Sequence, residues 1–149
     1  PEQASNPTGR AILAADGRTA IAPDDAPQQV KDAIAAANRI TRKPYRYGGG
    51  HGRWEDSGYD CSGAVSYALH GAGLLDRPLD SSGLARWGSR GRGEWITVYA
   101  NPDHAYVVIA GLRFDTSRAG SENTTERGPR WRDRARSTSG YAARHRAGL

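Results

Sequence analysis

The spacing of apolar residues predicts a first helix over residues 28–41. Its apolar side chains recur every three or four positions and therefore face one side of the helix: Val30, Ile34, Ala37 and Ile40. Asp25 and Pro27 are helix-start signals just before this stretch, and Pro44 stops the helix after it.

A second helix is predicted to begin at Cys61. Apolar residues follow the cysteine at the spacing of one buried helix face: Ala64, Val65, Ala68, Leu69 and Ala72. Gly71 and Gly73 end this helix. Residues 48–52 are too rich in glycine to form a regular element, so we expect a loop whose backbone closely approaches another part of the molecule.

Strand signals concentrate in the second half of the chain, where three apolar stretches predict strands over residues 95–99, 104–110 and 112–116. The polar residues 118–139 predict a long loop, of which residues 128–131 are the anchored part. At the other end of the chain, two short apolar stretches flank Asp16 and Gly17. Residues 1–27 are therefore expected to form an N-terminal arm or hairpin.

Length and composition indicate one domain with one core. The chain has 149 residues, of which 37% are hydrophobic, and it contains no run of 18 apolar residues that could span a membrane. It has no methionine, even at position 1, which indicates a processed or excised piece of a longer product. Any export signal would then have been lost upstream.

The net charge of +5 lies entirely in the last third of the chain. Residues 113–149 hold nine arginines and four acids, whereas basic and acidic residues balance over the rest. A basic tail can favour nucleic acid, an anionic membrane or an anionic cell wall. The aromatic interleaving, zinc-finger spacing and basic heptads of nucleic-acid binders are missing, so nucleic acid is not expected as a partner.

A single cysteine excludes a disulfide within the chain and any CxxC metal or redox motif. The plain interpretation of such a residue is a small buried hydrophobe. However, Cys61 lies at a helix start, where the helix dipole and the open N–H groups favour a thiolate and can hold an oxyanion. This position favours a catalytic nucleophile.

A nucleophilic cysteine needs a base, and four histidines are candidates. His104 is the best of them, because it begins the most apolar predicted strand and can face a cleft while its neighbours enter the core. His70 falls in the last turn of the cysteine helix, where a charge-dipole role explains it. His51 lies in the glycine loop and could touch substrate, and His145 belongs to the arginine-rich tail.

A third side chain should orient the imidazole, and the strand after His104 offers Asp115 or Thr116. A carboxylate would hold the productive tautomer, which favours Asp115. Strand alternation complicates this choice: if Phe114 points into the core, Thr116 shares its face and Asp115 does not, unless a bulge intervenes. Asp103, a turn residue before the strand, stays as a third candidate.

These residues resemble the NlpC-type peptidases, papain-like cysteine endopeptidases that cut the peptide stems of bacterial peptidoglycan. Three pieces carry the resemblance: PYRYGG at residues 44–49, YDCSGAV at residues 59–65, and His104 before an apolar strand. They occur in the family's order across roughly residues 28–117. The spacing from Tyr45 to Cys61 is longer than usual because of residues 51–57, which we expect to form a wall of the cleft.

The resemblance implies a papain-like α+β fold over residues 28–149, ending in a basic C-terminal loop region. In this fold N-terminal helices, with the catalytic cysteine at a helix N-terminus, pack on an antiparallel sheet that carries the histidine. The apolar periodicity independently agrees with that arrangement. Cys61 would be the nucleophile and His104 the base, with a polar third residue for which Asp115 is the candidate.

The resemblance also implies the substrate, which would be the bond between γ-D-glutamyl and a diamino acid in the stem peptide. The enzyme would be exported to the cell wall, the periplasm or the extracellular space, would act as a monomer, and would need no cofactor or metal. The expected substrate-binding residues are Tyr45, His51, Asp60 and Ser62.

Other functions stay open on the sequence alone. A papain-like amidase or an antibacterial effector would use the same cysteine and histidine on a different bond, because a fold does not fix the substrate. A noncatalytic wall-binding module, with affinity supplied by the basic tail, is the alternative outside the enzymes.

Overall fold

The computed structural model describes residues 5–117 and 127–149. A hairpin of β1 (Ile12–Leu13) and β2 (Ala20–Ile21) comes first, and it is followed by three helices: α1 (Gln28–Arg39), α2 (Cys61–Gly71) and α3 (Ser81–Leu84). Both long helices predicted from apolar spacing are confirmed, and α2 begins at Cys61 as expected. Helix α1 ends two residues earlier than predicted, and Pro27 rather than an acid occupies its N-cap position.

The remaining strands form one six-stranded antiparallel sheet in the order β3-β8-β4-β5-β6-β7. Its strands are β3 (Ser89–Arg90), β4 (Ile96–Ala100), β5 (Ala105–Ile109), β6 (Leu112–Asp115), β7 (Arg130–Arg132) and β8 (Ala142–His145). The three predicted strands correspond to β4, β5 and β6, each within one or two residues, and they make the centre of the sheet.

The prediction that residues 118–139 form one long loop is wrong where β7 extends the sheet, and its part over residues 118–126 lies outside the described residues. Trp131 anchors β7. The centroid of its ring lies 4.9 Å from that of the Phe114 ring, and its Nε1 donates a hydrogen bond to Asn38 Oδ1 at 2.8 Å. Strand β8 was also not expected. Its sequence, AARH, has no apolar alternation, and backbone pairing with β3 and β4 holds it in place.

One hydrophobic core joins the helices to the sheet. Helix α2 packs on β5 and β6, and α1 packs on α2. Fully buried apolar side chains come from both layers, and they include Val30, Ile34, Val65, Leu69, Ile109 and Phe114. The hairpin joins the same core through Ala11 and Ala20. The protein therefore has an α+β fold in which the first turn of α2 faces the start of β5.

Within the described residues, no helix combines the length and the apolar character that a membrane crossing requires.

Candidate active site

Cys61 is the first residue of α2, and Asp60 caps the turn that places it there. The Asp60 Oδ1 accepts a hydrogen bond from the backbone N–H of Gly63 at 2.7 Å. This bond satisfies one of the donors that a helix leaves open at its N-terminus. The Cys61 thiol therefore lies where the helix dipole favours a negative charge.

The glycine-rich loop is fixed against this turn through its backbone. The N–H of Gly48 donates to Asp60 Oδ2 at 3.1 Å, and the N–H of Asp60 donates to the carbonyl oxygen of Gly49 at 3.2 Å. A Cβ at Gly63 would clash with that same carbonyl oxygen, so the contact requires glycine at this helix position. The predicted close approach of the loop backbone is confirmed.

The thiol of Cys61 is half-buried among polar groups. Its Sγ lies 3.7 Å from Ser81 Oγ, and the His104 imidazole and the backbone N–H of Ala105 are its other polar partners. Burial opposes ionisation of the thiol, but hydrogen bonds from these partners outweigh burial and lower the pKa of Cys61. The surroundings thus favour a nucleophilic thiolate.

His104 lies directly before β5 and is held by Asp115 at the end of β6. The His104 Nε2 is 2.8 Å from Asp115 Oδ1, with the imidazole 18% exposed and the carboxylate fully buried. Burial opposes a charge on His104, but the bonds to Asp115 and Cys61 prevail and raise its pKa to about 9. A raised pKa on His104 and a lowered pKa on Cys61 both favour the imidazolium–thiolate pair.

The strand register explains why Asp115 meets His104 and Thr116 does not. Val107 lies opposite Phe114, so the next rung of the ladder places Asp115 on the same face of the sheet as His104. Phe114 and Thr116 are both buried and point to the other face. We expected that, with Phe114 buried, Asp115 would need a bulge in the strand to reach the histidine. This expectation is wrong, because His104 lies on the same face of the sheet as Asp115.

Asp115 is itself held by three further side chains. Arg113 Nη1 and Arg136 Nη1 donate to its Oδ2 at 2.6 and 2.9 Å, and the backbone N–H and hydroxyl of Ser117 each donate to its Oδ1 at 3.0 Å. Burial opposes ionisation of Asp115, but His104, Ser117 and Arg136 hold its pKa far below the usual range. The carboxylate is therefore ionised and fixed in direction.

A cleft of about 360 Å³ opens over Cys61, and the four predicted substrate-binding residues all line it: Tyr45, His51, Asp60 and Ser62. Of residues 51–57, which were expected to form a wall of the cleft, His51 alone is among its described lining residues. Its Nε2 is 2.9 Å from Asp60 Oδ1 and 3.0 Å from Ser62 Oγ. The bond to Asp60 outweighs burial and raises the pKa of His51.

Tyr45 lines the same cleft as Cys61 and is aligned by a parallel bridge with Tyr59. Burial and the neighbouring Cys61 charge raise the pKa of Tyr45, so its phenol keeps its proton. The guanidinium of Arg127 lies 4.5 Å from the ring centroid of Tyr45. Tyr45 is consequently a hydrogen-bond donor at the cleft.

The remaining candidates form their described hydrogen bonds with groups other than the Cys61 and His104 side chains. His70 stacks on Trp54 with ring centroids 3.9 Å apart, and its Nδ1 is 2.8 Å from the carbonyl oxygen of Leu75. His145 Nδ1 is 3.0 Å from the carbonyl oxygen of Gly91. Asp103 lines the edge of the cleft and makes no hydrogen bond to His104 in the described structure.

Sequence reasoning missed Ser81, although the chain carries a signal for it. Residues 80–83 read DSSG and repeat the pattern of DCSG at residues 60–63. Both aspartates cap a helix in the same way, since Asp80 Oδ1 accepts from the N–H of Gly83 at 2.7 Å, as Asp60 does from Gly63. Two similar caps therefore bring Cys61 and Ser81 together across the cleft.

The link from the basic tail to Asp115 was also missed. Arg136 is one of nine arginines between residues 113 and 149, and nothing in the local pattern distinguishes it. Its guanidinium also lies over the rings of Tyr106 and Tyr141, at 4.9 and 5.4 Å from their centroids. This part of the tail belongs to the site rather than to a solvated loop.

Among the described residues, no group of three or more histidine, cysteine, aspartate or glutamate side chains is arranged to hold a metal ion.

Comparison with known proteins gives a likeness of fold. Neither a protein-family model nor a curated protein matches the chain. A solved structure, that of Rv1477, a hypothetical invasion protein of Mycobacterium tuberculosis, is similar with a TM-score of 0.56 and 19% sequence identity. The likeness covers 78% of this chain and 62% of the solved one, so this chain spans less than two thirds of that protein's length. At this identity the likeness supports the α+β fold alone.

Proposed function

We propose that this protein is a cysteine endopeptidase of the NlpC type, with a papain-like arrangement, that hydrolyses the peptide stems of bacterial peptidoglycan. The observation that carries the proposal is the convergence of Cys61, at the N-terminus of α2, with the His104–Asp115 pair at one end of the central strands β5 and β6. Nucleophile, base and orienting carboxylate are the three groups that amide hydrolysis by a thiol requires.

In the proposed reaction the Cys61 thiolate attacks the carbonyl carbon of the scissile amide. The negative charge that develops on the carbonyl oxygen is stabilised by the backbone N–H of Cys61 and by the Tyr45 hydroxyl. His104 then protonates the leaving amine, and Asp115 holds its ring in the required direction. A water deprotonated by His104 hydrolyses the acyl-enzyme and restores the thiolate.

The charge of the cleft supports a substrate that carries an amino group. Three carboxylates line it, those of Asp60, Asp80 and Asp103; Asp60 is paired with His51, and neither arginine nor lysine is among the described lining residues. The diamino acid of a peptidoglycan stem peptide has a second amino group, so it complements this wall. We propose as the scissile bond the one that the NlpC-type resemblance implies, between γ-D-glutamyl and the diamino acid, with which this charge is compatible. A peptidoglycan substrate also requires that the enzyme be exported.

Mass spectrometry of a muropeptide digest tests this proposal. The wild-type protein should release fragments that end in γ-D-glutamate, with the diamino acid at the new amino terminus. Cys61→Ser should release none of them while its melting temperature stays within about 2 °C of wild type, because the substitution exchanges one atom in a half-buried side chain.

Two other digests would contradict the proposal. Cleavage at a different amide would identify a papain-like amidase or effector with another specificity. If the folded wild-type protein cleaves no bond in the muropeptides, the result would favour the wall-binding module.

A further inference from the structure

The face of the sheet opposite α2 carries a second cavity, whose described lining residues include neither Cys61 nor His104. Its volume is about 450 Å³. Tyr99 and Tyr106 are direct cross-strand partners in its wall, and Val108 and Arg113 form the neighbouring pair. Strand alternation turns these side chains away from the core, which holds Val107 and its neighbours on the other face.

The cavity is strongly basic. It contains one acid, Asp133, and six arginines: Arg10, Arg92, Arg113, Arg132, Arg134 and Arg136. Within residues 5–117 and 127–149, Arg92 makes no hydrogen bond or ion pair, and Arg10 bonds only a backbone carbonyl oxygen, that of Gly111 at 3.0 Å. Neither of these two charges is balanced by a carboxylate of the described chain, so an anion entering the cavity gains their attraction.

A buried hydroxyl in the same wall also needs a partner. Tyr106 is 1% exposed, and its Oη makes no hydrogen bond with the part of the chain that the structure describes. Buried polar atoms are nearly always satisfied, so an unpartnered one marks a place where a partner is missing. Burial raises the pKa of Tyr106 to about 12, so the hydroxyl stays protonated and can donate to an oxygen.

We propose that this cavity is a binding site for a phosphate group, held by Arg10 and Arg92 with the Tyr106 hydroxyl as an additional donor. Guanidinium groups donate in a planar fork that matches the oxygens of phosphate, and a phosphate offers enough acceptors to meet several such groups together. The phosphate belongs either to a small monoester or to the phosphodiester chain of an anionic polymer. The site goes beyond the proposed hydrolysis and does not depend on it.

Calorimetric titration of the full chain with inorganic phosphate, at constant ionic strength, tests the site. We expect saturable binding at one site per molecule. Arg92→Gln should weaken it about tenfold, because it removes a charged donor that bonds nothing else in the described chain. Arg77→Gln is the matched control, since it removes the same charge from an exposed position outside the cavity and should leave the affinity unchanged.

Tyr106→Phe tests the hydroxyl without changing charge. It should weaken phosphate binding while leaving the melting temperature of the free protein unchanged or higher, because the hydroxyl has no partner to lose. The site is overturned if wild type shows no saturable binding, if Arg92→Gln binds as wild type does, or if Arg77→Gln loses as much affinity as Arg92→Gln.

Two further ligands distinguish the sources of the phosphate. Tighter binding per phosphate by poly(glycerol phosphate) than by glycerol phosphate would assign the site to a polymer, and equal affinity per phosphate would assign it to a small monoester. Each titration measures binding alone, so a failure here is distinct from a failure of the hydrolysis assay.

Discussion

At the scale of single residues, the reactivity of Cys61 depends on charges that lie behind His104. The imidazole bonds Asp115, and Asp115 in turn accepts from Arg113 and Arg136. An imidazolium held by an ionised, fixed carboxylate stabilises the neighbouring thiolate. The raised pKa of His104 and the lowered pKa of Cys61 express this arrangement.

The pH dependence of the proposed hydrolysis follows from the pKa of His104. The leaving amine must be protonated by the imidazolium, so kcat/KM should fall as pH rises through about 9, where His104 loses its proton. The acidic limb should lie below the pKa of an ordinary thiol, because the pKa of Cys61 is lowered. A pH–rate profile on a soluble stem peptide measures both limbs, and a basic limb near 6.5, the value of a free imidazole, would contradict the assignment.

The raised pKa of His104 also stabilises the fold. His104 gains affinity for its proton on folding, so this contribution is complete below the unfolded pKa of about 6.5 and is lost as pH rises through about 9.

Substitutions on β6 separate the two faces of that strand. Asp115→Asn removes the carboxylate from His104, so the basic limb of the pH–rate profile should move to lower pH and kcat should fall at least tenfold. The variant should also unfold more easily, by about 3 kcal/mol, because Arg113 and Arg136 lose a buried partner. Thr116→Val, on the opposite face, should keep the wild-type profile, and an equal loss in both variants would contradict the register argument.

At the scale of elements, α2 is positioned by a glycine loop that packs backbone against backbone. A Cβ at Gly49 would clash with the carbonyl oxygen of Gly58, whereas a Cβ at Gly52, in the same loop, meets no atom within 4 Å. Gly49→Ala should therefore lower the free energy of unfolding by about 1–3 kcal/mol and reduce activity. Gly52→Ala should change the free energy of unfolding by no more than about 0.5 kcal/mol and should leave the activity unchanged. Thermal melts and hydrolysis rates check this pair, and equal melting temperatures would contradict the packing described here.

The elements that could be predicted are those whose side chains carry a strong apolar period. Helix α2 and strand β5 present several apolar residues at regular spacing, so sequence alone indicates both their type and their start. Strand β8 has no such period, because it pairs through its backbone and is held by Arg144, which donates to the carbonyl oxygen of Trp87. An edge of this kind depends on long-range pairing, which local patterns do not contain.

The residues of the candidate site likewise include some that local sequence patterns predict and others that depend on long-range pairing. Cys61 and His104 could be found because a helix start and a strand start are local features. The contact of Asp115 with His104 depends on the β5–β6 register and on the face of the sheet that His104 occupies. The alternation of side chains within one strand predicts neither of them. Ser81 shows the opposite case, because its DSSG signal was local and was overlooked.

At the scale of the whole molecule, the C-terminal region returns across the sheet to support the site. Arg136 lies 21 residues after Asp115 in sequence and donates to it, to Ser117 and to Tyr141. Part of the positive charge of the tail is therefore located at the site and not spread over a solvated loop. The tail supplies cations that balance a carboxylate buried at the edge of the core.

Arg136→Gln should act on catalysis through Asp115. Removing a positive charge near His104 should raise the pKa of that imidazole further, so the basic limb should move to higher pH, opposite to Asp115→Asn. We expect kcat to fall about tenfold as the carboxylate loses a fixing bond. Arg77→Gln removes an exposed arginine that is not among the described lining residues of the cleft and is the matched control. A basic limb that does not move would contradict a positioning role for Arg136.

Alkylation of Cys61 by iodoacetamide across pH tests the central claim most directly, because the chain has no other cysteine to react. The account predicts rapid labelling at pH 7 and a midpoint below the value of about 8.5 for a free thiol. In His104→Gln, which removes the imidazolium, the midpoint should move upward. A wild-type midpoint at or above about 8.5, unchanged in His104→Gln, would contradict the claim that Cys61 is a nucleophile activated by His104.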